Sequence, residues 1–310
     1  MRSNSYGRLA GKEEAEAIIS LAQQFDKNLN GKSFLICFGT KTLRFLEVSF
    51  SAGNFSHLAG IDKHNCRIKP HEVYARAIAG NLKPQDLGYS IAPKFKMKTI
   101  AAKFLNEFGS TATHVSAVNK RRSKVNAEIW ISGSKAGFAI GAIHIGSKKS
   151  GPVTFAPTSL QLLSDIELQE KSVGTVEPIA IILSRRNDEM SYSVIEFLDE
   201  NLTEIHSSSL ASILLSCGNE VALRNKYPEL CDRLFDKDFE PLDDISEYAT
   251  EYAEECNRIN ARRAEMPRGN RNEPLEINTL EGRVSCCPLS PPPLRWHPCI
   301  GSSPLYGKSD

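Results

Sequence analysis

The chain has 310 residues, 41% of them hydrophobic and 24% charged, with a formal net charge of +1. That length holds one large domain or two ordinary ones, and the composition is that of a folded water-soluble chain. No apolar run approaches the ~18 residues a membrane span requires, and residues 1–14 lack the apolar stretch of a secretory leader, so a cytoplasmic location with no membrane partner is expected.

Residues 12–29 place Ala15, Ile18, Ile19, Ala22 and Phe25 at helical spacing, and Asn28 to Gly31 stop the helix. Residues 33–38 and 43–50 read as two strands joined by a hairpin turn at Gly39 to Thr42. Pro70 opens a short helix that runs to Gly80, residues 82–87 carry a second helix-start pattern, and 96–108 a third helix. The period then changes from 3.6 to 2. Strands are expected at 115–118, 127–131, 138–145, 153–155, 178–183 and 192–197, with short polar turns between them. Helices first and a strand meander after predict an α+β fold with an antiparallel sheet.

Residues 209–215, 220–235 and 243–263 read as helices, and from Met266 the composition shifts to Pro, Arg, Asn and Ser. The expected organisation is an α+β domain over 1–205, an acidic helical appendage over 206–266 and a disordered tail over 267–310. Of the eight cysteines, Cys37 falls in a strand-like run, Cys217 and Cys231 in helix-like segments, and Cys286, Cys287 and Cys299 in the Pro-rich tail. No Cys-x-x-Cys pair exists, so neither a disulfide framework nor a zinc site is expected, and no metal or other cofactor.

Charge is unevenly spread. Between Lys94 and Lys149 the chain carries Lys94, Lys96, Lys98, Lys103, Lys120, Arg121, Arg122, Lys124, Lys135, Lys148 and Lys149 against Glu107 and Glu128. Between Lys226 and Cys256 the balance reverses. Lys120, Arg121, Arg122, Lys124, Lys148 and Lys149 are therefore candidate nucleic-acid contacts, while the acidic helices suit a protein partner or a mask over the basic region.

Two short motifs stand out. Asn54-Phe55-Ser56-His57-Leu58-Ala59-Gly60-Ile61 sets a histidine and a serine among apolar residues, and Phe155-Ala156-Pro157-Thr158-Ser159-Leu160 follows a Gly/Lys-rich turn. In this order the pair resembles the signature of a phage-associated barnase–EndoU–colicin–RelE-like nuclease family, over about residues 30–200. The resemblance implies the same α+β architecture, a phage or mobile-element origin and a toxin-like nuclease activity. Carried over position by position, it supports Asn54, Phe55, His57, Leu58 and Gly60, and later Pro157, Thr158 or Ser159, and Leu160. Near the last strand, where the family pattern leads one to expect a lysine, this chain has Ser184-Arg185.

Metal-independent RNA cleavage requires a base for the 2′-hydroxyl, an acid for the leaving oxygen and donors for the phosphorane charge. The 2′-hydroxyl is the internal nucleophile, so no protein nucleophile is needed. His57 and His64 are the candidate proton-transfer groups, with His144 as a further histidine near the basic turn. Thr158, with Ser159 beside it, and Arg185, or its neighbour Arg186, are the candidate phosphate ligands. No Walker loop, dinucleotide fingerprint or serine elbow is present. The leading expectation is an endoribonuclease acting on RNA. Its rivals are a non-catalytic nucleic-acid-binding module and a protein-interaction module.

Overall fold

The computed structural model describes residues 10–61, 66–87, 101, 105, 107–133, 137–147 and 153–235, with 146, 147, 153, 276–279 and 282–285 described by backbone alone. The chain divides into two compact units, Met1–Met266 and Pro267–Asp310.

Helix α1 (Lys12–Asn28) buries Ala15, Ile18, Ala22 and Phe25, and the Glu14 carboxylate closes its first turn by accepting the Gly11 N–H at 2.7 Å. Strands β1 (Lys32–Phe38) and β2 (Arg44–Ser49) form the expected hairpin. The histidine motif that follows is a helix, α2 (Ala52–Ala59). Ser51 starts it by donating its N–H and hydroxyl to Asn54 Oδ1 (2.7 and 3.0 Å). Gly60 ends it in the left-handed conformation (φ +73°), where a Cβ would be strained.

Helices α3 (Pro70–Ile78), α4 (Pro84–Leu87) and α5 (Phe108–Thr111) come next. The helix expected over 96–108 lies largely outside the described residues. Strands β3 (His114–Val118), β4 (Ile129–Gly133), β5 (Phe138–Ser147), β6 (Val153–Leu162), β7 (Ser172–Arg186) and β8 (Val194–Leu198) complete the sheet, with α6 (Asp165–Lys171) between β6 and β7. The fold is α+β. The strand order is β1-β2-β6-β5-β4-β3-β7-β8, and β1 also pairs with β7. All pairs are antiparallel except β2–β6, which is parallel through Glu47↔Thr154 and Val48↔Phe155.

Fifteen-residue β7 explains the extra pairing. Its first half pairs with β3 and its second half with β1 on one edge and β8 on the other. Hydrogen bonding therefore passes from β1 through β2, β6, β5, β4, β3 and β7 back to β1.

Register fixes which side chains share a face, because cross-strand partners project together and chain neighbours project oppositely. Phe34, Val48 and Ser184 form one row; Ser33, Ser49 and Arg185, and Leu35, Glu47 and Leu183, form rows on the other face. The first face carries α1 and α2. Phe55 meets Phe25 at 5.5 Å between ring centroids, Phe25 meets Phe50 at 6.3 Å, and Phe50 meets Phe34 at 5.6 Å.

After β8 come α7 (Glu200–Ile205), α8 (Ser207–Ser216), α9 (Glu220–Lys226) and α10 (Pro228–Phe235). The single helix expected over 220–235 is split at Tyr227, because the pyrrolidine ring of Pro228 disfavours a helical residue before it. Leu210, Ile213, Leu214, Leu223 and Leu234 belong to the same buried apolar cluster as the sheet. In the second unit β9 (Glu276–Thr279) and β10 (Gly282–Ser285) pair antiparallel. The rest of 267–310, and the expected helix over 243–263, lie outside the described residues.

Candidate active site

The two sequence motifs meet. Asn54, whose Oδ1 caps α2, uses its Nδ2 to donate to the Pro157 carbonyl at 3.1 Å. The next residue, Thr158, sits at a bulge between β5 and β6 and donates its hydroxyl to the carbonyls of Asn126 (2.7 Å) and Gly141 (3.1 Å). Gly141 is tightly enclosed: a Cβ there would come within 2.9 Å of Ala127 and 3.0 Å of Trp130. Two consecutive residues of β6 therefore hold the histidine-bearing helix on one side and the end of the basic loop on the other.

That loop is ordered from within. Asn119 Oδ1 accepts the N–H groups of Arg121 and Arg122 (3.2 and 3.4 Å), and the Asn119 carbonyl accepts the N–H of Ser123 at 2.8 Å. Lys120, Arg121, Arg122 and Lys124 are all exposed. A loop with a fixed backbone and four exposed cations has the charge and order that a phosphate backbone can use, since little order has to be imposed on binding. Lys148 and Lys149 lie outside the described residues.

A second constellation occupies the opposite face of β1, β2 and β7. Glu47 on β2 and Arg185 on β7 form an ion pair at 3.0 Å with both side chains almost fully buried. Thr154 donates its hydroxyl to Glu47 Oε1 at 2.9 Å, and the Tyr192 hydroxyl donates to Glu47 Oε2. The guanidinium lies over the Tyr192 ring, 4.9 Å from its centroid, and Nη1 donates to the Glu189 carbonyl. Its Nε has no acceptor among the described residues. Burial and the neighbouring Glu47 carboxylate push the Tyr192 phenol well above its usual value, with Arg185 pulling the other way.

The sequence-predicted residues are thus distributed over more than one place. His57 is exposed on α2, on the face of β1–β2 that carries Phe34. Arg185 projects from the other face, beside Glu47 and Tyr192, neither of which the sequence singled out. Thr158 lies next to the α2 anchor, its proton engaged by two carbonyls. His144 is exposed on β5, its ring 5.9 Å from that of Phe155, and His64 lies outside the described residues. The basic loop stands apart from Arg185. It follows Val118, which pairs with Ser172 at the start of β7, and Arg185 lies near the other end. Thirteen residues at ~3.3 Å each make roughly 40 Å of strand between them.

Glu47, Arg185 and Tyr192 bring together a carboxylate, a cation and a phenol, groups of the kinds that can accept a proton, hold an anion and donate a proton. The family model described as phage-Barnase-EndoU-ColicinE5/D-RelE like nuclease4 matches residues 17–201. The chain belongs to this nuclease family. The match spans both sequence motifs, the basic loop and all three members of the buried constellation, and stops at the start of α7. Neither the curated proteins nor the solved structures include a match to the chain. Among the described residues, no group of three or more His, Cys, Asp or Glu side chains is placed to hold a metal ion, and no helix is long and apolar enough to cross a membrane.

Proposed function

We propose that the chain is an endoribonuclease that cleaves RNA by attack of the 2′-hydroxyl on the adjacent phosphodiester, without a metal. The observation that carries this reading is the mutual contact of Glu47, Arg185 and Tyr192 on one sheet face of a nuclease-family domain. Glu47 takes the 2′-proton, Arg185 holds the phosphate oxygens and Tyr192 protonates the leaving 5′-oxygen. The phenol is suited to the acid role because it stays protonated at neutral pH. Burial raises the phenol most and the Glu47 charge adds to it; once Glu47 has taken a proton that second contribution is gone, so the base step eases the acid step.

In the same proposal the basic loop binds the RNA backbone away from the scissile bond. A second reading gives the proton transfer to His57. Its exposure favours it, because RNA reaches His57 with no rearrangement of the protein.

The test is cleavage of a mixed-sequence oligoribonucleotide by the full chain in EDTA. Products ending in a 2′,3′-cyclic phosphate, and no cleavage of the all-deoxy oligonucleotide, are expected. Cleavage of the deoxy strand, or strict dependence on a divalent ion, contradicts the proposal.

A further inference from the structure

Glu47, Arg185 and Tyr192 do not face solvent, and the chain itself covers them. Tyr192 itself lies against Glu47 and Arg185, and the contacts that hold Tyr192 in place come from beyond the family match. The family match ends at residue 201, whereas the turn between α8 and α9 at residues 217–219 makes the contacts. Asn219 is fully buried and its Oδ1 accepts the Tyr192 N–H at 2.7 Å; the Gly218 carbonyl accepts the Ser191 hydroxyl at 3.2 Å. Burial pushes the Cys217 thiol up to about 12, with the nearby Glu47 carboxylate adding to the shift and Arg185 opposing it.

We infer that α8, α9 and the turn at 217–219 form an intrachain cap that holds the Glu47–Arg185–Tyr192 site closed to RNA. The inference rests on the catalytic reading of those three residues. The family match over 17–201 includes all three residues and none of the cap.

The chemistry of the contact points the same way. A sheet face built only to receive helices is normally apolar, and here Leu35, Ile181 and Leu183 are apolar while Ser33, Glu47, Thr154 and Arg185 on the same face are not. Two buried donors at this place, Arg185 Nε and Asn219 Nδ2, have no acceptor among the described residues. Donors left over under a cover are poorly explained by the cover and well explained by an acceptor-rich ligand such as a phosphodiester, which the cover displaces. Leu210, Leu214 and Leu223 keep the cap seated through the apolar cluster, so the cap opens infrequently in the full chain and slows cleavage without abolishing it.

The experiment compares RNA cleavage by the full chain with that of Asn219→Ala, which removes the bond to Tyr192. Leu214→Ala serves as a second variant, and chemical modification of Cys217, read by mass spectrometry, reports whether the turn has lifted. The expected result is faster Cys217 modification together with at least about tenfold faster cleavage, the gain vanishing when Glu47→Gln is added. Equal Glu47-dependent cleavage with and without a lifted turn overturns the cap and leaves the catalytic reading standing. Cys217 protected in both variants with no gain in rate makes the segment fixed core and also overturns it. Absence of Glu47-dependent cleavage in every variant overturns the catalytic reading, and the cap with it.

Discussion

Asn54 Nδ2 donates to the carbonyl oxygen of Pro157 across 103 residues of sequence, while its Oδ1 caps the helix it belongs to. One amide side chain thereby starts α2 and fastens it to β6. Asn54→Ala removes both, and the expected cost is about 1–3 kcal/mol, from a lost cap and a lost tertiary hydrogen bond. Urea denaturation measures it. Asn54→Asp keeps the cap and loses the amide donor, so it should fall between Ala and the parent chain.

The buried ion pair has an asymmetric energetic signature. Glu47→Ala leaves Arg185 charged and buried without its partner, and a loss of about 3–5 kcal/mol is expected. Replacing both together, as Glu47→Leu with Arg185→Met, should recover most of that loss or all of it, because paired charges gain little over apolar residues of similar volume. The double variant should be stable and inactive. Denaturation midpoints and cleavage rates on the same preparations check both halves.

Stability should fall in alkali. The Cys217 thiol is raised from its ordinary 9.0 to about 12, first by burial. The unfolded thiol ionises near 9 and the folded one near 12, so between these values the unfolded chain binds fewer protons and stability falls as pH rises. Each such group contributes at most about 1.4 kcal/mol per pH unit. Cys217→Ala should flatten the profile above pH 9. His114 acts at the other end: burial lowers its value below 6.5, so its contribution is present above 6.5 and lost as pH falls below it. Denaturation of His114→Gln across this range should show a shallower acid limb.

The basic loop should bind RNA by charge. Replacing Lys120, Arg121, Arg122 and Lys124 with Ala should reduce the slope of log affinity against log salt by up to about 3, at ~0.7 per phosphate of single-stranded RNA. Thr158→Val keeps the cations and removes the hydroxyl that fastens Asn126. It should weaken binding while preserving the slope, and amide exchange over 121–126 should quicken.

How much of this was legible in sequence follows from range. Helix α1 and strand β1 declare themselves through local periodicity, and the meander from β3 to β5 through alternation and turns. Helix α2 hides because Gly53, Asn54 and Ser56 are poor helix formers and only Phe55, Leu58 and Ala59 supply apolar burial; its signals were the Ser51–Asn54 box and Gly60. The Asn54–Pro157 contact was within reach, since both motifs were visible, although nothing local says they touch. Glu47 was not. It sits in a strand-like run beside Phe45, where an acidic residue reads as solvent-facing. Its burial comes from Tyr192, 145 residues away, and from a helical segment farther still. Arg185 was noticed as a cation at a strand end, but its partners depend on the β1–β7 and β2–β6 pairings, which no local pattern encodes.

The most direct measurement sets the two candidate proton-transfer groups against each other. Single-turnover cleavage of one oligoribonucleotide by the parent chain, Glu47→Gln and His57→Gln, each checked for folding, compares a site on either face of the sheet. Glu47→Gln should slow cleavage about 10²–10⁴-fold while His57→Gln stays within about threefold of the parent. The reverse pattern, with Glu47→Gln fully active and His57→Gln inactive, would contradict this and move the chemistry to the exposed face of α2.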